Sequence, residues 1–171
     1  MERLKAKIRD IPDFPKPGIV FKDITPLLAD GPSFRTLTDA LAARFASRKV
    51  DLVVGIEARG FVIGSAVGYV LGAGIVLIRK KGKLPYKTHK AIYQLEYGTD
   101  TLEIHEDAIK PGQRVIIVDD LLATGGTVSA AIDLVNKLGG TVVGIGFLVE
   151  LTFLKGREKL REQEIFSLVQ F

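Results

Sequence analysis

The chain contains no cysteine in its 171 residues. That absence excludes disulfides, thiol nucleophiles and cysteine-based zinc sites, and it suits a reducing, cytoplasmic setting. The opening Met-Glu-Arg-Leu-Lys-Ala-Lys-Ile has no apolar run, so no secretory signal is expected. Internal repeats, low-complexity tracts and linkers are also missing. One stretch, residues 60–78, lacks any charge and is long enough to imitate a membrane span. Gly72-Ala73-Gly74 breaks it into a helix (61–71) and a strand (75–78), so no membrane partner is expected. Gly60, Gly64, Gly68 and Gly72 recur every four residues, which allows that helix to pack closely on a sheet.

What is present is an ordinary globular balance, 47% apolar and 26% charged, enough for one domain with a proper core. The net charge of +4 is unevenly spread. Arg79-Lys80-Lys81-Gly82-Lys83, continuing through Lys87 and Lys90, carries much of the excess. Such a run can be a solvated loop, can touch nucleic acid, or can close over an anion such as pyrophosphate. Its place directly after a strand end sets the anion reading level with the solvated loop.

Apolar runs alternate with helical patterns. Strands are expected at 52–56, 75–78, 115–118, 142–149 and 165–169, with helices at 33–47, 61–71 and 128–138. Phe34, Leu37, Leu41 and Phe45 share one face of the first helix. A short amphipathic helix is expected to end near Pro12, residues 13–30 read as an extended loop, and 158–163 as a short polar helix. Residues 91–97 and 101–104 flank Gly98-Thr99-Asp100 like a hairpin, and insertions of that kind often act as lids. The fold class is therefore α/β: a single domain, 1–171, with a central mostly parallel sheet flanked by helices.

Residues 115–127 read Val-Ile-Ile-Val-Asp-Asp-Leu-Leu-Ala-Thr-Gly-Gly-Thr. Four β-branched residues suit a strand covered on both faces, and ligands of open α/β sheets sit beyond such strand ends. Gly125 and Gly126 permit positive φ and bring N–H groups to a ligand, Thr124 and Thr127 add hydroxyls, and the next helix points its positive end the same way. The result is a phosphate cradle that is neither a Walker A loop nor Gly-x-Gly-x-x-Gly. Asp119 and Asp120 can accept sugar hydroxyls or hold magnesium through water. A second strand-turn-helix, with Glu57-Ala58-Arg59-Gly60 at its turn, suits another anion.

The order apolar strand, Asp-Asp, two spacers, Ala-Thr-Gly-Gly-Thr resembles the phosphoribosyl-pyrophosphate signature of the type I phosphoribosyltransferases. Phe14-Pro15-Lys16-Pro17-Gly18-Ile19-Val20-Phe21-Lys22-Asp23-Ile24-Thr25-Pro26 resembles the start of the adenine phosphoribosyltransferases, and Leu95-Glu96-Tyr97-Gly98 their flexible-loop motif. The departures are conservative: Lys22 and Ala58 stand where several relatives carry Arg and Ser. The resemblance implies purine salvage, in which adenine and phosphoribosyl pyrophosphate give AMP and pyrophosphate. It implies an N-terminal hood (1–30) and a flexible lid hairpin (80–106).

By the same resemblance, Val20, Phe21 and Lys22 would hold adenine, and Asp119 and Asp120 the ribose. Ala123, Thr124, Gly125, Gly126 and Thr127 would hold the 5′-phosphate. Glu57, Ala58 and Arg59, with Arg79, Lys80 and Lys83, would meet the pyrophosphate, and a cis peptide would fall at Glu57–Ala58. Glu96, beside Tyr97 on the lid, would assist proton transfer, and Arg59 would stabilise the leaving group. Magnesium would enter with the donor, held through substrate and water rather than by direct protein ligands. A homodimer is implied, with some basic groups crossing between subunits. Two rivals stand beside this reading. One is a related enzyme for xanthine, hypoxanthine or orotate, with Lys22 as donor to an oxo group. The other is a sugar-phosphate-sensing regulator, for which no DNA-reading module is visible, so no nucleic-acid partner is expected.

Overall fold

The apolar runs at 52–56 and 115–118 become neighbours in a parallel sheet, with Val53 opposite Ile116 and Gly55 opposite Val118. The structure, a computed structural model, describes residues 1–94 and 99–171. Two strands near the N-terminus, β1 (Arg9–Pro12) and β2 (Val20–Asp23), form a separate antiparallel ribbon. The others are β3 (Leu52–Ile56), β4 (Gly74–Lys80), β5 (Thr88–Gln94), β6 (Thr99–His105), β7 (Arg114–Leu122), β8 (Thr141–Glu150) and β9 (Ile165–Gln170). They lie in the order β5-β6-β4-β3-β7-β8-β9. The five from β4 to β9 in that order are parallel, and β6 and β5 extend the sheet antiparallel from β4.

Helices α1 (Glu2–Lys5), α2 (Thr25–Ala29), α3 (Gly31–Phe45), α4 (Arg59–Leu71) and α5 (Gly126–Lys137) complete the fold. Side chains alternate across a strand, so each apolar run serves two cores. Val53, Ile116 and Val118 join Leu37, Leu41, Phe45, Ile63 and Val67 on the α3–α4 side. Val54, Ile56, Val115 and Ile117 join Ala131, Leu134 and Val135 on the α5 side. The glycine stripe of α4 meets the sheet as its spacing suggests: a Cβ on Gly64 would touch Gly55, Ile75 and Val53. Phe45 lies so flat on β8 that a Cβ on Gly144 would come within 2.5 Å of its ring. The α/β class with a mostly parallel central sheet, expected from the alternation, is the one found.

Several local expectations are corrected. The N-terminal helix is only four residues long, and residues 9–12 form a strand instead. Opposite charges meet across the ribbon and fix it: Arg9 with Asp23 at 2.6 Å, Asp10 with Lys22 at 2.7 Å. The expected loop at 13–30 thus contains β2 and α2, the latter with Pro26 in its first turn, where a missing N–H costs nothing. Strand β7 does not stop at Val118 but runs through Asp119 and Asp120 to Leu122, paired with β8. The polar helix at 158–163 is a 3-10 turn at Gly156–Leu160. The hairpin strands are present, and they bury Ala91, Tyr93, Leu102 and Ile104 at the sheet edge.

Candidate active site

At the end of β7 the chain turns through Ala123, Thr124 and Gly125 into α5. Gly125 has φ +81°, a conformation that favours glycine. Leu121 to Val128, with Asp119 and Phe147, line a cavity of about 70 Å³. The first turn of α5 leaves its unpaired N–H groups and the positive end of its dipole at this cavity. Such a concavity accepts a phosphate monoester without needing a cationic side chain in the loop.

Beside it stand the two acids. Asp120 is buried, and its Oδ2 accepts from Arg59 Nε at 2.5 Å. Asp119 is half-buried and its Oδ1 accepts the Asp120 amide at 2.9 Å. Loss of water, and then the neighbouring Asp120 carboxylate, push the Asp119 carboxyl well above the usual range. A Cβ on Gly60 would lie 2.7 Å from Asp119 Oδ1, so a glycine at the start of α4 is what leaves this acid its place.

The turn from β3 to α4 carries the second anion candidate. The Glu57–Ala58 peptide bond is cis, as the resemblance implies. Glu57 organises the basic groups around this turn. Its amide donates to Ile78 O at 3.0 Å, and its carboxylate gathers two cations, Lys83 Nζ at 2.6 Å and Arg79 at 3.3 Å, and accepts the Lys80 amide at 3.0 Å. Burial works to raise that carboxyl, but these donors outweigh it and carry it down to about 2. Glu57 therefore arranges Arg79 and Lys83 beside this turn. Lys80 turns the other way, to Asp100 at 3.2 Å.

The expected base segment is split by the pleat of β2. Val20, half-exposed, and Lys22 line an apolar cavity of about 560 Å³ with Ile19, Leu151, Phe153 and Phe171. Phe21 is not among the lining residues. Its ring meets Phe14 edge-on at 5.3 Å, and the Arg59 guanidinium lies 5.1 Å from its centre. Lys22 is occupied twice over, by Asp10 and by the Phe171 ring at 4.0 Å. Glu96 and Tyr97 lie outside the described residues.

Two contributors were not foreseen. Gly156 backs the phosphate loop: a Cβ there would lie 2.3 Å from Ala123 O. Tyr93, buried on β5, brings its ring against Gly126 and its hydroxyl to Asp100 at 3.3 Å. The contacts of Gly156 with Ala123 and of Tyr93 with Gly126 join segments far apart in sequence, and no local signal pointed to either.

The family model described as phosphoribosyl transferase domain matches residues 24–169. An adenine phosphoribosyltransferase of Syntrophotalea carbinolica is 61% identical over 171 residues, covering 100% of both chains. The crystal structure of adenine phosphoribosyltransferase from Thermoanaerobacter pseudethanolicus is 56% identical, with a TM-score of 0.97 over 99% of each chain. That of Saccharomyces cerevisiae, complexed with D-2,5-dideoxy-2,5-imino-altritol 1,6-bisphosphate and adenine, is 42% identical. Its TM-score is 0.93, over 98% of this chain and 97% of that one. With signature loop, fold and full-length likeness in agreement, the chain belongs to the phosphoribosyltransferase family, on its adenine phosphoribosyltransferase branch.

Proposed function

We propose that this chain transfers the 5-phosphoribosyl group from phosphoribosyl pyrophosphate to adenine, giving AMP and pyrophosphate in purine salvage. The observation that carries this reading is the position of Arg59. It touches the Asp120 carboxylate on one side and the Phe21 ring on the other, next to the phosphate loop. A nucleotide laid along that line would have phosphate in the loop, ribose hydroxyls on Asp119 and Asp120, and its base toward β2. The yeast relative solved with adenine and a bisphosphate sugar analogue supports the same pairing of ligands.

In the reaction the C1′–pyrophosphate bond breaks as the base nitrogen bonds to C1′. Positive charge builds on the ribose ring and negative charge on the leaving group. Arg59, freed from Asp120 when the diol takes its place, would meet the leaving pyrophosphate together with Arg79, Lys80 and Lys83. Preorganised charge of this kind is usually the largest catalytic contribution. Among the described residues no three His, Asp or Glu side chains converge on one point, so magnesium fits here only through donor oxygens and water, with Asp119 and Asp120 as the acids within reach. When bound, the ion would neutralise the developing pyrophosphate charge. Glu96 would assist proton transfer at the base, and the hairpin around it, including Tyr97, would shut out water that could hydrolyse the donor.

The engagement of Lys22 with Asp10 and Phe171 leaves it poorly placed to serve an oxo-purine, which favours adenine over hypoxanthine or xanthine. We further propose a cytoplasmic homodimer. Exposed Val62, Tyr69, Val70, Ile75 and Leu77 on α4 and β4 offer it an apolar face, and no helix among the described residues is long and apolar enough to cross a membrane.

The test is AMP production from adenine and the donor, with magnesium and without, against hypoxanthine, xanthine and orotate. Turnover of adenine alone, dependent on the metal, is expected. Preferential turnover of an oxo-base overturns the base assignment, and no turnover of any base overturns the enzyme reading.

A further inference from the structure

The turn that backs the proposed phosphate loop is held by an ion pair between a buried carboxylate and an exposed arginine, with no part in the chemistry above. Gly156 is buried, a Cβ there would sit 2.3 Å from Ala123 O, and a Cβ on Gly125 would sit 2.7 Å from Gly156 O. The two backbones are therefore in direct contact, and neither can shift toward the other. The next residue, Arg157, forks onto Glu150, with Nε to Oε1 at 2.7 Å and Nη2 to Oε2 at 2.8 Å. Glu150, at the end of β8, is only 4% exposed. It also accepts Ser167 Oγ at 2.6 Å and Gln170 Nε2 at 3.3 Å, both from β9, while Arg157 Nη1 donates to Ile165 O at 3.2 Å.

Burying a carboxylate is expensive unless every lone pair is used, and here four donors use them. The Arg157 hydrogen bonds, chief among several causes, hold the Glu150 carboxyl below its ordinary value, so it stays ionised. A planar fork also restricts direction as well as distance, which a lysine at this position would not do. The arrangement ties the position of Gly156, and through it the carbonyl of Ala123 and the turn at Gly125, to two strands of the sheet.

We propose that Arg157 and Glu150 are positioning residues for the sugar-phosphate site, setting the aim of the phosphate loop through the Gly156 backbone. The proposal rests on reading Ala123 to Thr127 as the 5′-phosphate cradle. The pair touches no substrate. It acts by keeping the loop from relaxing backward.

The experiment measures ribose 5-phosphate binding to the full chain by calorimetry, with KM for the donor, KM for adenine, kcat and the thermal midpoint. Arg157→Lys keeps the charge but loses the fork, and Gly156→Ala presses directly on Ala123 O without touching the pair. Each variant is expected to weaken ribose 5-phosphate and raise the donor KM on the order of 10- to 100-fold, the cost of a small displacement in a preorganised site. KM for adenine and kcat should change by less than about 3-fold, the pattern of lost uniform binding at one subsite.

Unchanged ribose 5-phosphate affinity in either folded variant overturns the proposal, as does an equal rise in both KM values, which marks a general loss of structure. Should Arg157→Lys not fold, Gly156→Ala alone decides by the same criteria. Wild-type protein that ignores ribose 5-phosphate would instead remove the cradle reading beneath the proposal.

Discussion

Arg59 Nε and Asp120 Oδ2 lie 2.5 Å apart although 61 positions separate them in the chain. One is the first residue of α4, the other lies near the far end of β7, so the pair joins the two turns proposed to bind anions into one surface. In the reaction proposed here, each partner has a second task that begins when the pair opens.

Asp120→Asn should cut kcat/KM for the donor on the order of 100-fold or more, because the diol loses an ionic acceptor and Arg59 its partner. Steady-state kinetics with the donor varied checks this. Wild-type kinetics in the variant would remove Asp120 from the ribose site.

Removing the aromatic face of β2 tests the base end. Phe21→Ala should raise KM for adenine by about 10-fold, as expected for one lost stacking surface of about 1–2 kcal/mol. The donor KM should move far less. The reverse ranking would place the base elsewhere, and the wide cavity beside Val20 and Lys22 would be the first alternative.

For Glu96→Ala the expectation is a lower kcat, by about 10²-fold if the carboxylate moves a proton, in a protein that melts at the wild-type temperature. An unchanged kcat would leave that side chain with a scaffolding role.

Asp119 gives the opposite pairing of effects. Its carboxyl sits above the usual range in the folded protein, so its ionisation is harder there than in the unfolded chain. Stability it supplies at low pH is therefore lost as pH rises through the folded value. Asp119→Asn should raise the thermal midpoint at pH 8, by about 2–4 °C for each kcal/mol relieved, and much less at pH 4. Activity should fall. Calorimetry at the two pH values checks the sign, and an equal gain at both would show that charge is not the cause.

In acid the sign reverses for Glu57 and Asp23, both held at about 2 against ordinary values of 4.5 and 3.8. The unfolded chain takes up protons first as pH falls. Their contribution is complete above pH 4.5 and is lost as pH drops toward 2. Urea midpoints measured across that window should fall, and the double variant Asp23→Asn with Glu57→Gln should fall less steeply. Parallel slopes would show that these carboxylates do not drive acid unfolding.

How much of this was legible in the sequence follows from the range of each interaction. Strand β7 could be read because Val115 to Val118 must be apolar on both faces to serve two cores. The turn at Ala123 to Thr127 could be read because a glycine acts where it stands, Gly125 at φ +81°. The ribbon β1–β2 could not: Arg9, Asp10, Lys22 and Asp23 look like loop residues until their charges are seen paired across strands. Asp119 and Asp120 were expected after a strand and lie within one, because β8 continues alongside to Glu150. Gly156 gave no local sign of its contact with Ala123, since nothing near it in sequence shares that contact.

Since β1 and β2 share no ladder with the seven-stranded sheet, the segment bearing Phe21 is an appendage in architectural terms. The parts assigned to the sugar donor sit on the larger framework and owe that ribbon none of their strand pairing. On the proposed assignment of the base to β2, nucleobase preference can drift by rebuilding some fifteen N-terminal positions, roughly the span of the ribbon, while the framework proposed for the activated sugar keeps its strand pairing.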